Sequence, residues 1–249
     1  MKASLCLFFS LYIVSCAFSQ DSLRKSSLDP LKVSSGQLAM ELNINPFRGD
    51  LSLNNALNQV KLRYFTSDNF AIRLAFNIDV KKKETTVTNP YGTNPFISNE
   101  DKKFTGIGIN LGVEKHFTGT RRLSPYVGFE FSFGTKFSNY TLDDGTVKTK
   151  IDGAWRTTTL VNNNFFVYGY EEKGYVKYGF NVLAGFDFYV AKNFFVGYEA
   201  TLQYSNIEYT RIDITTTGST FPPDSPDSKE KEVSVSPALL NGIRIGYVF

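Results

Sequence analysis

Eight separate stretches of this chain alternate large apolar residues with small or polar ones at a period of two, and across the central stretches the apolar positions carry no formal charge. That period belongs to the β-strand, whose successive side chains point to opposite faces. In the first stretch Leu38, Met40, Leu42 and Ile44 oppose Gln37, Ala39, Glu41 and Asn43. In the second, Val60, Leu62 and Tyr64 oppose Lys61 and Arg63; in the third, Ile72, Leu74, Phe76 and Ile78 oppose Arg73, Ala75, Asn77 and Asp79. The fourth sets Ile107, Ile109, Leu111 and Val113 against Gly106, Gly108, Asn110, Gly112 and Glu114. The fifth sets Val127, Phe129, Phe131 and Phe133 against Gly128, Glu130, Ser132 and Gly134. The sixth runs from Val176 to Phe188 with Lys177, Asn181 and Asp187 on its polar side, and the seventh sets Phe194, Val196, Tyr198, Ala200 and Leu202 against Glu199 and Gln203. The eighth ends the chain, with Ile243, Ile245, Tyr247 and Phe249 opposite Gly242, Arg244 and Gly246.

A period of two does not say which face is inside, so the decision rests on what each face holds. The apolar face is dense and uncharged, whereas the other mixes glycine, small polar residues and charges. A lipocalin-like soluble barrel would point its apolar residues inward; reversing the faces here would bury about eleven charges and expose the aromatics to water, at a large desolvation cost. The economical arrangement has the apolar face in lipid and the charged face in a lumen. Lipid demands that every backbone polar group be paired, which a closed barrel satisfies and an open sheet does not. After the leader, no run approaches the roughly 18 apolar residues of a membrane helix. The sequence therefore predicts an all-β fold, a transmembrane antiparallel up-and-down β-barrel of about eight strands.

The connections alternate long and short, starting long. Arg48 to Asn55, Lys81 to Lys103, Ser138 to Gly174 and Arg211 to Glu232 are expected as extracellular loops, with brief turns and both termini on the periplasmic side of a bacterial outer membrane. Rings near strand ends are expected to form aromatic girdles: Phe65, Phe70, Phe117, Tyr126, Phe188, Phe194 and Phe249 on the periplasmic side, Phe47, Phe104, Phe137, Tyr175, Tyr204 and Tyr209 on the outer side.

Before the first strand, Lys2 precedes an apolar run from Ala3 to Cys16, too short to span, which reads as a signal peptide over residues 1–19. Two processing routes fit: cleavage after Ser19, leaving Gln20 first, or lipidation of Cys16 within Ile13-Val14-Ser15-Cys16. Both cysteines lie in this leader, so no disulfide is expected in the barrel. Residues 20–35 read as a flexible periplasmic tail and 36–249 as the barrel.

The terminal pattern Ile243, Ile245, Tyr247, Phe249 and the Ser19-Gln20 junction resemble those of the eight-stranded OmpA/OmpX-type outer-membrane barrels and the outer-membrane β-barrel proteins of Bacteroidetes, over about Ser35 to Phe249. The resemblance implies that the C-terminal pattern is read by the barrel-assembly machinery and that outer-membrane lipid surrounds the barrel. It names no ligand.

An eight-stranded barrel has a lumen that side chains can fill. Glu41, Arg63, Arg73, Glu114, Glu130, Glu199 and Arg244 are expected to form a lumen charge network, with the three arginines pairing to Glu114, Glu130 and Glu199. Such a plug argues for a non-enzymatic barrel supporting envelope integrity, surface interaction or a larger outer-membrane complex. A narrow channel for small solutes or ions is the alternative, and an outer-membrane lipid-modifying enzyme comes third. The net charge of +3 gives no reason to expect nucleic acid. The single histidine, His116, has no partnered nucleophile in sight, so no catalytic residue is assigned. Asp143-Asp144-Gly145 lacks calcium-loop spacing and reads as a turn; no metal or cofactor is expected. Contact with a surface ligand or partner protein is expected from the aromatic loop residues Tyr140, Trp155, Phe165, Phe166, Tyr168 and Tyr170.

Overall fold

The computed structural model describes residues 31–44, 60–89, 96–161, 165–219, 226, 229–238 and 243–249. The leader with Cys16, Phe47 and the segment Arg48 to Asn55 lie outside the described residues. Thirteen strands make up the described secondary structure, all paired antiparallel: β1 (Leu38–Ile44), β2 (Val60–Ser67), β3 (Phe70–Asn89), β4 (Phe96–His116), β5 (Leu123–Asp143), β6 (Lys148–Asp152), β7 (Trp155–Val161), β8 (Phe165–Glu171), β9 (Tyr175–Ala191), β10 (Phe194–Tyr209), β11 (Asp213–Thr217), β12 (Lys231–Ala238) and β13 (Ile243–Val248).

Pairing runs in a closed circuit, β1-β2-β3-β4-β5-β9-β10-β13 and back to β1. Closure is made by the chain's last strand on its first: Met40 lies opposite Tyr247, and the Phe249 amide donates to the Leu38 carbonyl at 2.8 Å. The inner half of β10 pairs with β13 and its outer half, Thr201 to Glu208, with β12. Stepping laterally from Leu38 through Tyr64, Ile72, Val113, Phe129 and Val182 arrives at Leu202. Tyr198, four residues earlier on β10, leads through Ile243 to Ile44, six residues beyond Leu38. The circuit thus closes with a stagger of about ten residues, and a stagger of that kind tilts barrel strands by roughly 35–45°.

The faces fall as the alternation predicts. Leu38, Met40, Ile72, Leu74, Phe76, Ile78, Ile109, Leu111, Phe131, Phe133, Val182, Phe186, Ile243 and Tyr247 point outward and are exposed, while Ala39, Glu41, Arg63, Arg73, Glu114, Glu130, Asp187, Glu199 and Arg244 point inward and are buried. Phe70, Phe188, Phe194, Phe137 and Phe249 are outward rings at strand ends. Five of the rings expected in the girdles lie on the inward face instead: Phe65, Tyr126 and Phe104 are buried in the lumen, Tyr175 lines its outer cavity, and Tyr209 stands opposite Tyr175. Parity decides this. Tyr64, Val127 and Val176 point out, so the neighbour of each must point in.

Two of the expected loops are largely strand and a third is strand in part. Lys81 to Lys103 is paired residue for residue as the outer half of the β3–β4 hairpin, apart from residues 90–95. Charge pairing does not hold it, since Lys82 faces Lys103 and Glu84 faces Asp101; the backbone ladder, the β-branched run Thr85, Thr86, Val87, Thr88 and the hydrogen bond from the Thr86 hydroxyl to Asn99 Oδ1 at 2.9 Å carry it. Ser138 to Gly174 contains the end of β5 together with β6, β7 and β8, and Arg211 to Glu232 contains β11 and the start of β12. The outer halves of β3 and β4 carry polar residues on both faces, so a period-two reading passes over them.

The end of the expected flexible tail is also fixed. Val33 is buried against Ala39, Phe65, Ala71, Tyr189, Phe195 and Val248, with Leu31 packed beside it, at the end of the barrel where the chain terminates. Ser35 donates its amide to Asp68 Oδ1 at 2.9 Å and its hydroxyl to the Thr66 carbonyl at 3.0 Å, and Gly36 donates to the Phe65 carbonyl at 2.8 Å. Residues 31–35 therefore stopper the inner mouth because its lining is apolar and needs cover. Val33→Ala removes two methylene equivalents from that stopper, and at about 0.8 kcal/mol each it is expected to lower stability by about 1.5 kcal/mol in urea unfolding. The same variant should speed amide exchange at Gly36.

Candidate functional site

The middle of the lumen is an ion-pair network to which each of the eight circuit strands contributes. Alternation places Glu41 on β1, Lys61 and Arg63 on β2, Arg73 on β3, Glu114 on β4, Glu130 on β5, Asp187 on β9, Glu199 on β10 and Arg244 on β13, all facing one narrow space. Arg73 is bound by three carboxylates: Nη1 to Glu114 Oε1 at 2.5 Å, Nη1 to Glu199 Oε2 at 2.8 Å, and Nε to Glu130. Arg63 shares Glu114 and takes two others: Nη1 reaches Glu114 Oε2 at 3.2 Å and Asp187 Oδ2 at 2.7 Å, and Nε meets Glu41. Arg244 bridges Glu41 and Asp187, both at 2.7 Å, and approaches Glu199 at 3.6 Å. Lys61 completes Glu199 at 3.0 Å.

The sequence reading placed Arg63, Arg73 and Arg244 with Glu114, Glu130 and Glu199. The structure brings all six together with Glu41 and adds Lys61 and Asp187, which the reading saw as inward charges without assigning them to the network. Five carboxylates face three guanidiniums and one ammonium, and His116 supplies a further contact through Nε2 to Glu114 Oε2 at 3.2 Å. Its other nitrogen meets Ser124 Oγ at 3.0 Å, and its ring lies against Phe65 and Tyr126. Tyr126 donates its hydroxyl to Glu199 Oε2 at 2.8 Å, and its ring takes the guanidinium of Arg244 at 5.1 Å and that of Arg63 at 5.9 Å. Phe195 packs under Arg63 at 4.8 Å and against Gly246, where any Cβ would collide with its ring.

Outward of the network the lumen opens into a polar cavity of about 280 Å³, lined among others by Asn77, Asp79, Asn110, Tyr175, Lys177 and Gln203. Phe104 belongs both to this wall and to a second apolar cluster beyond it, with Tyr140, Ile151, Ala154, Trp155 and Ile212. Trp155 stacks on Phe104 at 5.5 Å between centroids and donates its indole N–H to the Lys103 carbonyl at 3.0 Å. The tight turn that brings Trp155 there needs Gly153, with φ +98° and the Arg211 carbonyl where a Cβ would stand.

That cluster corrects the expected contact residues. Tyr140 and Trp155 are buried and Tyr170 packs against them, so these rings hold the outer strands together and are not presented to a partner. Tyr168 on β8 is exposed, with the Arg156 guanidinium 5.0 Å from its ring centroid. The side chains of Phe165 and Phe166 lie outside the described residues. Ile243, Tyr247 and Phe249 stand on the outward face of β13 and the chain's end, with Ile245 half-buried between them. Asp143 and Asp144 form a turn: Asp144 Oδ1 accepts the amides of Thr146 and Val147 at 2.9 and 2.7 Å, which hold its carboxyl below the ordinary value.

The chain matches no protein-family model and none of the curated proteins. Among solved structures it is similar to the crystal structure of the N-terminal beta-barrel domain of Pseudomonas aeruginosa OprF, at 12% identity over 87% of this chain and 100% of that chain, with a TM-score of 0.30. The fold and the site define an all-β barrel with an apolar exterior and an ion-paired interior.

Removing one partner from such a network strands the rest. Arg73→Met leaves Glu114, Glu130 and Glu199 without their shared cation, and breaking a buried pair this way costs about 3–5 kcal/mol. Urea unfolding of Arg73→Met, Glu130→Gln and the double variant is expected to show the double variant losing less than the sum of the singles.

Proposed function

We propose that this chain is a non-enzymatic outer-membrane β-barrel, with both termini toward the periplasm, whose sealed lumen makes a rigid stand for the strands that rise beyond the membrane. It works through those outer strands in envelope integrity or surface interaction, alone or within a larger outer-membrane complex. The observation that carries this reading is the inversion of the barrel. The outward band is uncharged while the buried charges are concentrated inside and paired to one another. In water that arrangement would expose a continuous apolar belt far larger than a soluble monomer tolerates; in lipid it is the low-energy one.

Two features favour a closed barrel over a channel. Side chains from all eight circuit strands meet across the middle of the lumen, and below them the apolar stopper of Val33, Phe65, Tyr189 and Phe195 fills the inner mouth. A lipid-modifying activity has little to build on: His116 is buried with both ring nitrogens engaged.

Purified protein in planar bilayers is expected to show no stable conductance steps. Stable nanosiemens steps would establish the channel reading instead. Insertion itself is tested by Leu74→Arg, which places a charge in the middle of the outward band of β3. In lipid vesicles it should destabilise the barrel by about 2–4 kcal/mol, and a change within about 0.5 kcal/mol would mean that lipid does not surround this face.

A further inference from the structure

The outer cavity has features that a merely solvated barrel mouth does not require. Its wall is built from bare backbone at Gly106 and Gly134, on the inward faces of β4 and β5. Neither glycine has the positive φ that would demand it, and a Cβ at either meets only ordinary van der Waals neighbours, the nearest at 3.7 Å for Gly106 and 3.5 Å for Gly134. Larger residues would fit there and would strengthen the strands, since an interior strand glycine is unfavourable. Their absence leaves the space open.

Two opposite charges face that space. Asp79 on β3 is exposed, and Lys177 on β9 is partly buried. Among the described residues neither forms an ion pair, although the neighbouring lysines are satisfied, Lys136 and Lys81 both meeting Glu172. Glu232 acts on Lys177 only through space and itself accepts the Tyr209 hydroxyl at 2.9 Å. Lys177 shares a lateral row with Gly134, Gly108 and Asn77, while Asp79 stands one inward-facing row further out with Gly106, Lys136 and Tyr175. The two charges thus stand on strands three spacings apart, roughly 14 Å laterally, and on adjacent inward-facing rows. Between and below them stand neutral hydrogen-bonding groups, Asn77, Asn110, Ser132 and Gln203. Asn181, the lateral partner of Gln203, has a buried Oδ1 without a hydrogen-bond partner among the described residues.

We propose that this cavity is a binding site for a small zwitterion, a free amino acid or dipeptide, whose carboxylate is held by Lys177 and whose ammonium is held by Asp79. A neutral sugar would leave both charges unmatched, and a simple anion or cation would leave one. The volume of about 280 Å³ lies at the small end of the roughly 300–1,000 Å³ typical of ligand pockets. The network beneath it blocks onward passage, so the site binds from the outer side and releases to the same side.

The test is isothermal titration of the full chain, folded in detergent micelles, with glycylglycine, and with glucose as the neutral probe. Glycylglycine is expected to bind saturably at one site and glucose not to bind. Asp79→Asn and Lys177→Gln should each weaken glycylglycine binding by about tenfold, the loss of one charge-assisted contact. Gly134→Leu should abolish it by filling the cavity, while urea midpoints and far-ultraviolet circular dichroism show all three variants folded. Absence of saturable binding by the parent, equal binding of glucose, or unchanged binding in Gly134→Leu would overturn the proposal. Because binding is read in detergent and without a voltage, it stands or falls separately from conductance and from lipid insertion.

Discussion

Arg73 and the three carboxylates around it set the terms for the rest of the barrel. A guanidinium buried in a narrow lumen must find its counter-charges there, and Glu114, Glu130 and Glu199 come from three other strands to meet it. Arg63 and Arg244 repeat the demand and share Glu41 and Asp187, so that the network ties every strand of the circuit except β1 to a strand that is not its lateral neighbour, while Glu41 joins β1 to both of its neighbours. Its value over an apolar filling is in specification more than in raw stability, since a buried ion pair offers little net gain over well-packed hydrophobic residues. A one-residue slip of any strand would turn its charges onto the outward apolar band and leave their partners unmatched. The lumen charges therefore fix register for all eight strands at once, including the closing pair of first and last strand.

The same rule explains what could be read from sequence. Alternation around Leu74, Leu111, Phe131 and Val182 is unambiguous because one face is wholly apolar and the other carries the charges, so the positions of the eight circuit strands, their parity and closure by Phe249 are legible. The exceptions follow from the same physics. Phe65, Phe104 and Tyr126 look like girdle rings when judged by nearness to strand ends, yet each occupies an inward position: Phe65 joins the apolar stopper, Phe104 the Trp155 cluster, and Tyr126 donates to Glu199 within the network. The outer halves of β3 and β4 carry Lys, Glu, Asp and Thr on both faces, and with water on each side nothing forces alternation. Asp187 and Lys61 were visible as inward charges, but membership in the network depends on how far each strand is staggered around the barrel. That stagger is a property of eight strands together.

Filling the middle of the lumen leaves the barrel with two ends that are built differently. At the inner end, Val33, Phe65, Tyr189 and Phe195 form a dry stopper, and the backbone of residues 34–36 is tied to the β2–β3 turn. At the outer end, the Trp155 cluster rests on Phe104 and gives strands beyond the barrel an apolar core of their own. That second core matters because paired strands alone are marginal in water. With it, β5, β6 and β11 continue as a sheet above the apolar band, and the edge of the cavity is held in place from above as well as from below.

Closure and recognition are therefore compatible in one narrow barrel because they occupy different rows of the same strands. On β4, Glu114 belongs to the sealed network, whereas Gly106 and Gly108, further out on the same inward face, belong to the open wall. On β9, Asp187 seals and Lys177 faces the cavity. The row of Asn181 and Glu130 lies between them: Asn181, the lateral partner of the cavity residue Gln203, donates Nδ2 to Glu130 Oε2 at 3.2 Å, so the row beneath the cavity is joined to a carboxylate that also holds Arg73. Rigid support of this kind fixes the polar groups of the cavity before anything binds, which lowers the ordering cost that a flexible loop site would incur.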